Sequence, residues 1–449
     1  MTRTIVIGAG MAGIMAARTL HDAGHAVKIL EARNRVGGRT HTDHSLGVSV
    51  DLGGSWIHGA YANPLTELAR TYNIATGYTD FVDASGSAIL AFDADGTPLD
   101  RVEYAQGLQL ASGAMAHAYG SLQYALPEAT PAYDSYQALH EIGLPIPDNL
   151  TPTQRKGYYY ASIIRAQYSA AADTHEMAWR VSNDYIRLPG GDQLVYGGGY
   201  NAITDRLAEG LTIETETIVS RIVYDNDGVT IHARKAGKDV TMHCEHVIIT
   251  VPLGVLKAGV IDFAPALPQT KTDAIERIGF GNYEKIVFRF PEFFWPREFQ
   301  RFNYLPGGID PQEPELFTSW LNNGHYTGEP VIVAYHAGSR AQVINEMSDS
   351  ELIETAMSVL TKLFGDRVEG ELPAPVSYVR TGWSHDPHCR GSYSFDKVGQ
   401  QAGDRRALAA SVANRLFFAG EATHPHYHST VHGAYETGIR AAQEVMAVQ

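Results

Sequence analysis

The sequence of 449 residues contains only two cysteines, Cys244 and Cys389. Two cysteines cannot form a disulfide framework or a cysteine-based zinc site. Basic residues are also few, because 35 lysines and arginines against 50 aspartates and glutamates give a formal net charge of −15. This balance argues against nucleic acid or an anionic membrane as a partner. It mildly favours cationic small molecules, although acidic surfaces more often serve only to keep a protein in solution.

Long hydrophobic runs are absent as well. No apolar segment reaches the roughly 18 to 20 residues that a membrane helix requires. The first predicted strand begins by residue 4, which leaves no room for a signal peptide before it. We therefore expect a cytoplasmic protein with no membrane partner. A chain of this length, with 44% hydrophobic residues, predicts a globular protein of two or three domains.

The first forty residues carry a dinucleotide-binding pattern. An apolar run at 4–7 leads into a glycine turn and a helix-like segment, and a second apolar run ends at Glu31. Gly8 permits the tight turn, Gly10 lets the backbone approach a pyrophosphate, and Gly13 lets helix and strand pack closely. Glu31 lies 23 residues after Gly8, a spacing typical of an acid that binds a ribose hydroxyl. This order of elements predicts an α/β fold with a Rossmann-type domain.

Two more glycine motifs follow. Residues 32–39 read Ala-Arg-Asn-Arg-Val-Gly-Gly-Arg and can wrap a second phosphate or ribose. Arg39 offers a planar fork of donors that suits pyrophosphate oxygens, whereas the motif alone would predict only a basic surface loop. Residues 50–59 place paired glycines before Trp56 and His58, which suits a backbone passing beneath a flat ring system.

These motifs resemble those of the flavin-containing amine oxidases, a family that includes polyamine, monoamine and amino-acid oxidases and the histone lysine demethylases. The resemblance rests on residues 31–39 and 51–59 and resumes at 420–424 and 429–438, so it covers the whole chain. It implies an FAD-binding domain built from residues 1–80, 190–285 and 380–449. Residues 81–189 and 286–379 would then form an α+β substrate-binding domain.

The resemblance also implies which residues contact FAD. Val219 matches a position whose backbone meets the adenine, Glu421 matches the ribityl or phosphate region, and Val431 the flavin ring. The complete predicted set is Gly8, Gly10, Met11, Ala12, Gly13, Glu31, Ala32, Arg33, Gly38, Arg39, Gly53, Gly54, Ser55, Trp56, Val219, Trp383, Gly420, Glu421, Thr430 and Val431. Where the family has a cysteine that attaches the flavin, this chain has Ser394, and Cys389 lies five residues earlier. We therefore expect FAD to be bound non-covalently.

Lys285 is the residue predicted to be catalytic, because it matches the family lysine that holds a water near the flavin N5 atom. On sequence alone, a lysine between a glycine turn and an apolar strand would more simply be a surface charge. Phe395 and Thr430 match the two positions that flank the substrate above the flavin. Only one of them is aromatic here, a pattern closer to polyamine oxidases and histone demethylases than to monoamine oxidases.

The predicted substrate pocket also contains residues from other parts of the chain. Trp383 matches a tryptophan beside the lysine, and His58 matches a position near the pocket mouth. Glu176 and Asp184 could anchor a cationic amine, although a solvated acidic face is an equally good interpretation. The complete predicted set is Trp56, His58, Glu176, Trp383, Phe395 and Thr430.

A histidine-rich segment near the end of the sequence suggests a metal site, with His424, His426, His428 and His432 close together. We predict no metal there, because His424 belongs to the flavin motif and no carboxylate or cysteine completes a ligand set.

The predicted function is FAD-dependent oxidation of a C–N bond in a polyamine or related alkylamine. A hydride equivalent passes to flavin N5, the imine hydrolyses to an aldehyde and an amine, and dioxygen yields hydrogen peroxide. An alkylammonium has a pKa of about 10, so the pocket must favour the neutral amine by desolvation between aromatic faces.

Several alternatives remain open at this stage. A monoamine or an L-amino acid could be the substrate, and an amino acid would require an arginine that clamps its carboxylate. The sequence does not identify such an arginine. A desaturase of the same fold or a non-catalytic flavoprotein fits less well, since Lys285 and residues 430–433 match the amine oxidases. A monomer or a homodimer is expected.

Overall fold

The computed structural model describes residues 4–83, 85–121, 147–178, 186–306 and 315–448. Its strands are β1 (Thr4–Ile7), β2 (Val27–Leu30), β3 (Thr42–Asp43), β4 (Val50–Asp51), β5 (Trp56–His58), β6 (Thr76–Thr79), β7 (Ile89–Asp93), β8 (Asp192–Val195), β9 (Ile213–Glu214), β10 (Thr217–Tyr224), β11 (Val229–Lys235), β12 (Lys238–Cys244), β13 (His246–Ile249), β14 (Asp262–Ala264), β15 (Gly279–Phe280), β16 (Tyr283–Arg289), β17 (Arg301–Leu305), β18 (Ser319–Asn322), β19 (Val331–Ala337), β20 (Ser377–Arg380), β21 (Ser394–Phe395) and β22 (Leu416–Phe418).

The α-helices are α1 (Met11–Asp22), α2 (Pro64–Thr71), α3 (Arg101–Ser121), α4 (Pro152–Tyr159), α5 (Arg165–Ala170), α6 (Asn201–Ala208), α7 (Leu253–Lys257), α8 (Gln269–Arg277), α9 (Gly324–Thr327), α10 (Ser339–Glu346), α11 (Asp349–Phe364), α12 (Asp404–Ala409) and α13 (Val431–Ala447). A π-helical turn, Tyr160–Ile164, joins α4 to α5. Short 3₁₀ turns lie at Thr174–Glu176, Gly365–Arg367 and Glu421–Thr423.

A parallel sheet forms the base of the molecule. Its strand order is β22-β13-β1-β2-β9, and every neighbouring pair is parallel. Helices α1 and α13 pack against it through small and aliphatic side chains, among them Ala16, Leu20 and Ala441. The mixed α/β class and the parallel sheet that starts near residue 4 are therefore confirmed. The carboxyl ends of β1, β13 and β22 meet at one edge, where ligands of such sheets bind.

The close approach of α1 to the sheet depends on glycine. A Cβ atom on Gly13 would lie 1.9 Å from the carbonyl oxygen of Gly8, which no side chain can tolerate. Helix α13 then packs on α1 just as closely, because a Cβ on Gly438 would lie 2.3 Å from the carbonyl oxygen of Ala12. Both contacts fix where the amino end of α1 points.

A second sheet has the order β12-β11-β10-β14, and its first three strands are antiparallel. The turn between β10 and β11 has the sequence Asp-Asn-Asp-Gly, which is typical of a hairpin, and the amide of Asp225 donates to the carbonyl of Gly228 at 3.0 Å. The register of β10 shifts between Val219 and Arg221. Val219, at this bulge, lines the cavity described below.

The largest sheet has the order β20-β16-β19-β18-β17-β7. It is antiparallel except for the parallel pair of β17 and β7. Helix α11 covers one face over an aromatic core that includes Phe288 and Trp320. Ser348 and Glu351 form a reciprocal capping box at the start of α11.

The predicted domain boundaries do not coincide with the ends of these strands. The proposed boundary after residue 285 falls inside β16, and the one after residue 379 falls inside β20. The division into domains stays a prediction. The aromatic segment that starts at Tyr158 is helical as far as Ala170, and Trp179 lies outside the described residues.

No helix within the described ranges is both long and apolar enough to cross a membrane.

Candidate active site

A cavity of about 1290 Å³ opens at the carboxyl edge of the parallel sheet. It continues past β5 to side chains of the six-stranded sheet, including Lys285, Arg301 and Tyr335. Pockets for one small ligand usually measure about 300 to 1,000 Å³. The larger volume leaves space for a dinucleotide and a substrate together.

The end of the cavity at β1 is a backbone cradle. Gly8 has φ of +104°, a conformation that favours glycine, and a Cβ on Gly38 would lie 3.1 Å from the Cα of Gly10. Gly10 caps α1 without any side-chain hydrogen bond to the first turn. The amide donors at this helix end are therefore available to an anionic ligand such as a pyrophosphate.

Glu31 lies at the end of β2, beside this cradle. Its carboxylate accepts hydrogen bonds from the amide of Ala9 at 2.7 Å and the amide of Arg33 at 2.8 Å. A carboxylate has about four acceptor positions, so capacity remains for ribose hydroxyls. The guanidinium of Arg33 does not donate to Glu31. It donates to the carboxylate of Asp386 at 2.7 Å and to the sulfur of Cys389 at 3.2 Å.

Glu421 connects the two sides of the cavity. Its carboxylate accepts from Arg39 at 2.9 Å, from the Ser394 hydroxyl at 2.6 Å and from the Ser429 amide at 2.8 Å. Burial opposes ionisation, but the charge of Arg39 and these hydrogen bonds hold the pKa of Glu421 below its usual value. The Glu421 carboxylate therefore accepts its hydrogen bonds from protein groups, and these bonds hold Arg39 and the start of α13 in place.

The residues present fit an FAD molecule. The α1 amides and Arg39 are suitable donors for the pyrophosphate, and Glu31 is a suitable acceptor for the ribose. Farther along the cavity, a Cβ on Gly54 would lie 2.9 Å from Cγ2 of Val431. The backbone at Gly54 and the first residue of α13 therefore leave no room for a larger residue at position 54. That narrow stretch suits a flat ring.

Lys285 lies on β16 and is buried inside the cavity. Its Nζ donates to the carbonyls of Asp51 at 2.8 Å and Gly53 at 2.6 Å and to the hydroxyl of Ser55 at 2.6 Å. Burial lowers the pKa of Lys285 to about 8, while the charge of Asp51 acts in the opposite direction. Since an ammonium has three donors, all of them are engaged here. Its role in holding a water stays a prediction and requires one of these bonds to give way.

Six aromatic side chains lie around Lys285. Register places Tyr335 opposite Lys285 on β19, and Nζ lies 5.9 Å from the Tyr335 ring and 5.8 Å from the Trp56 ring. The members contact one another at centroid distances of 5.4 to 6.0 Å. We use the name aromatic wall for Trp56, Phe81, Tyr168, Tyr283, Tyr335 and Tyr393.

The tyrosines of this wall were not predicted. Tyr283 and Lys285 are two residues apart on β16 and so share a face, which is the one local signal that could have found it. Tyr168 and Tyr335 reach the site through helix α5 and strand pairing. Sequence spacing does not reveal such contacts.

Polar residues mark the solvent end of the cavity. The side chain of His58 is 46% exposed, and its Nδ1 lies 3.2 Å from Oδ1 of Asp192. Burial opposes ionisation of Asp192, but His58 and the amide of Gly59 keep its pKa below the usual value. Asp192 is therefore an anionic group inside the cavity, and sequence reasoning missed it.

The structure brings most of the predicted site residues to this cavity. Those that line it are Gly8, Gly10, Met11, Ala12, Glu31, Ala32, Arg33, Gly38, Arg39, Gly53, Gly54, Ser55, Trp56, His58, Val219, Lys285, Trp383, Phe395, Gly420, Glu421, Thr430 and Val431. Gly13 does not line it, because it packs against Gly8 beneath the cradle.

Glu176 also lies elsewhere. Its carboxylate accepts from the amide of Asp173 at 3.2 Å and caps the 3₁₀ turn there. The prediction that Glu176 faces the substrate is not supported by its position, because a short local capping bond holds its side chain. Asp184 lies outside the described residues.

The histidine-rich segment divides among separate partners. His424 lies 3.0 Å from Glu436, His428 lies 3.3 Å from Asp396, and His432 lies 3.1 Å from the amide of Asn63. Within the described ranges, no group of three or more potential ligands converges on one point. The absence of a metal stays a prediction.

Comparison with known proteins agrees with this site. The family model for flavin-containing amine oxidoreductases matches residues 11–446. Polyamine oxidase 4 of Oryza sativa subsp. japonica is 34% identical over 450 residues, which cover 98% of this chain and 88% of that protein. Polyamine oxidase 2 of Arabidopsis thaliana is 34% identical over 453 residues, covering 98% and 87%.

A relative with a different name is almost as similar. Lysine-specific histone demethylase 1 homolog 3 of Arabidopsis thaliana is 33% identical over 499 residues, which cover 99% of this chain but 30% of that protein. The cradle, the buried lysine and the match over nearly the full length agree with one another. This chain belongs to the flavin-containing amine oxidoreductase family and is an oxidoreductase.

Proposed function

We propose that this chain is an FAD-dependent amine oxidase that cleaves a C–N bond of a polyamine or related alkylamine, with dioxygen as the electron acceptor. The observation that carries this proposal is the buried Lys285 facing the aromatic wall, in a cavity that continues from the cofactor cradle to His58. When bound, FAD supplies the acceptor for the hydride equivalent that leaves the amine.

The chain's own residues select the neutral form of the amine. Rings of Trp56, Tyr283 and Tyr335 remove water from the space in front of Lys285 and so raise the cost of a charged nitrogen. The positive charge of Lys285 acts in the same direction, because two ammonium groups at short range repel each other. An amine that enters as an ammonium must therefore lose its proton before it reacts.

Asp192 supports a substrate with more than one nitrogen. It is a buried carboxylate near the exposed His58, so it is placed to bind a distal ammonium while the reacting nitrogen lies deeper. The relatives named polyamine oxidase are consistent with this assignment. In this proposal residues 81–189 and 286–379 form the α+β substrate-binding part, the protein is a monomer or homodimer, and it acts in the cytoplasm.

Anaerobic titration of the purified yellow protein with spermine tests this proposal. We expect the flavin absorbance band to bleach, and air to restore it with release of hydrogen peroxide. Bleaching by monoamines or amino acids but not by spermine would contradict the polyamine assignment and leave amine oxidation in place. If no amine bleaches the band, the oxidase proposal is wrong.

We further propose that FAD binds without a covalent bond. Ser394 occupies the attachment position, and the sulfur of Cys389 lies at the Glu31 end of the cavity, beside Arg33. Burial raises the pKa of both thiols, that of Cys244 to about 12, so neither is a ready nucleophile. Acid denaturation followed by filtration should release all of the yellow colour, and the protein mass should equal that of the chain alone. A mass increased by one FAD would contradict this.

A further inference from the structure

Arg301 is a buried guanidinium with no carboxylate partner in the part of the chain that the structure describes. It begins β17, is 5% exposed, and lines the cavity with its Cζ 4.8 Å from the centre of the Phe81 ring. Its Nη2 donates to the hydroxyls of Ser319 at 2.8 Å and Tyr160 at 3.1 Å. Among the described residues its Nε has no hydrogen-bond partner, and no acid forms an ion pair with it.

Its neighbours cannot supply the missing negative charge. A guanidinium stays protonated at every physiological pH, and a buried charge is costly unless it is paired. Burial raises the pKa of Tyr168, Tyr283 and Tyr335 above the usual value, so these hydroxyls are neutral. Neutral hydroxyls satisfy single donors but leave the charge itself unopposed.

Two other arginines that line the cavity are each paired with an acid. Arg33 pairs with Asp386 at 2.7 Å, and Arg39 pairs with Glu421 at 2.9 Å. Arg165 adds to the positive charge near Arg301, since it donates to the carbonyl of Phe81, the residue whose ring lies under Arg301. The part of the cavity beside Phe81 is therefore electropositive.

We propose that Arg301 is a specificity residue that binds a carboxylate of the amine substrate. The assignment rests on the proposed function, because it concerns the same site, and it adds aminoalkyl carboxylates to the alkylamines that this site is proposed to oxidise. A continuous series of contacts joins Lys285 to Arg301 along the cavity. Nζ of Lys285 lies 5.8 Å from the Trp56 ring, the Trp56 ring lies 5.4 Å from the Phe81 ring, and the Phe81 ring lies 4.8 Å from Cζ of Arg301. An aminoalkyl carboxylate can place its amine near Lys285 and its carboxylate beside the guanidinium of Arg301, where that guanidinium lines the cavity.

The same geometry disfavours a terminal ammonium at that end, because Arg301 and Arg165 would repel it. Three ligands of equal length therefore separate the possibilities: 6-aminohexanoate, hexylamine and 1,6-diaminohexane, each with shorter and longer homologues. With the holoenzyme we expect kcat/KM for the best aminoalkyl carboxylate to exceed that for its uncharged homologue by about tenfold or more, mainly through KM. The diamine should gain nothing from Arg301, because its distal ammonium is expected to bind at Asp192 instead.

A second measurement does not depend on turnover. Hexanoate carries the carboxylate but no amine, and we expect it to perturb the flavin spectrum and to inhibit competitively, whereas hexanol should do neither. Absence of hexanoate binding would overturn the proposal, even if spermine is oxidised. Hexanoate binding without oxidation of any amine would keep the carboxylate site and refute the oxidase proposal instead. Stronger binding of N-acetyl-1,6-diaminohexane than of 6-aminohexanoate would overturn the proposal in favour of a neutral acceptor.

Substitutions of Arg301 test whether this residue causes the preference for a carboxylate. In Arg301→Gln the preference for the carboxylate over the uncharged homologue should disappear, and Arg301→Lys should restore part of the preference. The matched control is Arg297→Gln, an exposed arginine that stacks on Phe293 at 4.6 Å outside the cavity. An equal loss of kcat with all three ligands in Arg301→Gln would show a structural role only. If that variant does not fold, hexanoate binding by the unchanged protein decides.

Discussion

Lys285→Met is expected to lower kcat for amine oxidation by about 10² to 10³-fold, within the range that removal of one positioned hydrogen-bond donor costs. The side chain is buried against the aromatic wall, and Nζ is the donor that organises Asp51, Gly53 and Ser55. Methionine keeps the length and the apolar stem but removes the charge and all donors. Peroxide release under saturating amine measures the effect.

The matched control for this variant is Lys238→Met. Lys238 is an exposed lysine at the start of β12, outside the cavity. It should retain full activity and full FAD content. Equal activity of the two variants would exclude Lys285 from the reaction, and loss of FAD in Lys285→Met alone would indicate a structural role.

A pH profile distinguishes a chemical role from a structural one. Burial lowers the pKa of Lys285 to about 8, so the side chain loses its charge as pH rises through that value. The positive charge that favours the neutral amine is then lost, so kcat/KM should show a falling limb near pH 8, superimposed on the rise toward pH 10 that comes from the amine itself. In Lys285→Met the limb near pH 8 should vanish and the limb near pH 10 remain. Identical pH profiles of the unchanged protein and of Lys285→Met would contradict a chemical role for the Lys285 charge.

The same shift affects stability with a defined sign. The folded pKa of about 8 lies below the ordinary value of 10.5, so between these values the unfolded state binds more protons. The contribution of Lys285 to the free energy of unfolding therefore increases as pH rises from 8 to 10.5 and is least favourable below 8.

Gly13→Ala is expected to abolish FAD retention. The added Cβ would lie 1.9 Å from the carbonyl oxygen of Gly8 and 2.9 Å from Oγ1 of Thr250. Because the first atom is backbone, relief requires α1 to move away from β1, and the amides of the cradle move with it. Overpacking of this kind costs about 1 to 3 kcal/mol in stability. The ratio of flavin to protein absorbance after dialysis should fall by about tenfold or more.

Gly113→Ala is the control, because Gly113 is also helical. It lies on α3, and a Cβ there meets nothing within 4 Å. Replacing a helical glycine by alanine should leave FAD content unchanged and raise stability by about 0.5 to 1 kcal/mol. Normal FAD content in Gly13→Ala would show that the cradle tolerates displacement of α1.

Local signals in the sequence were sufficient for the cofactor end. The turn at Gly8, the packing at Gly13 and the acid at Glu31 depend on residues within thirty positions of one another. Their geometry follows from φ preference and helix packing, and the parallel sheet with its helices agrees with them. The capping box of α11 and the hairpin at Asp225 were predictable for the same reason.

The substrate end could not be predicted in the same way. Arg301, Tyr335 and Asp192 reach the cavity through strand pairing between distant segments, and register is not visible in composition or spacing. Glu176 shows the opposite error, since an acid in an aromatic segment suggested a pocket residue and proved to cap a local turn. The resemblance to a family located Lys285, which spacing alone would have placed on the surface.

The order of strands in the parallel sheet has a consequence for biosynthesis. Thr4 of β1 pairs with His246 of β13, and Val247 pairs in turn with Leu416 of β22. At roughly 5 to 20 residues per second, the ribosome needs about 20 to 80 seconds to pass from β1 to β22. The nascent β1 lacks its partner β13 until residues 246–249 have been made, and β13 in turn lacks β22 until residues 416–418 have been made. Contacts so distant along the chain form slowly. The cavity, which Glu421 and Val431 complete, can therefore hold the whole cofactor only after β22 has been made, and the unpaired apolar strands are expected to bind chaperones before then.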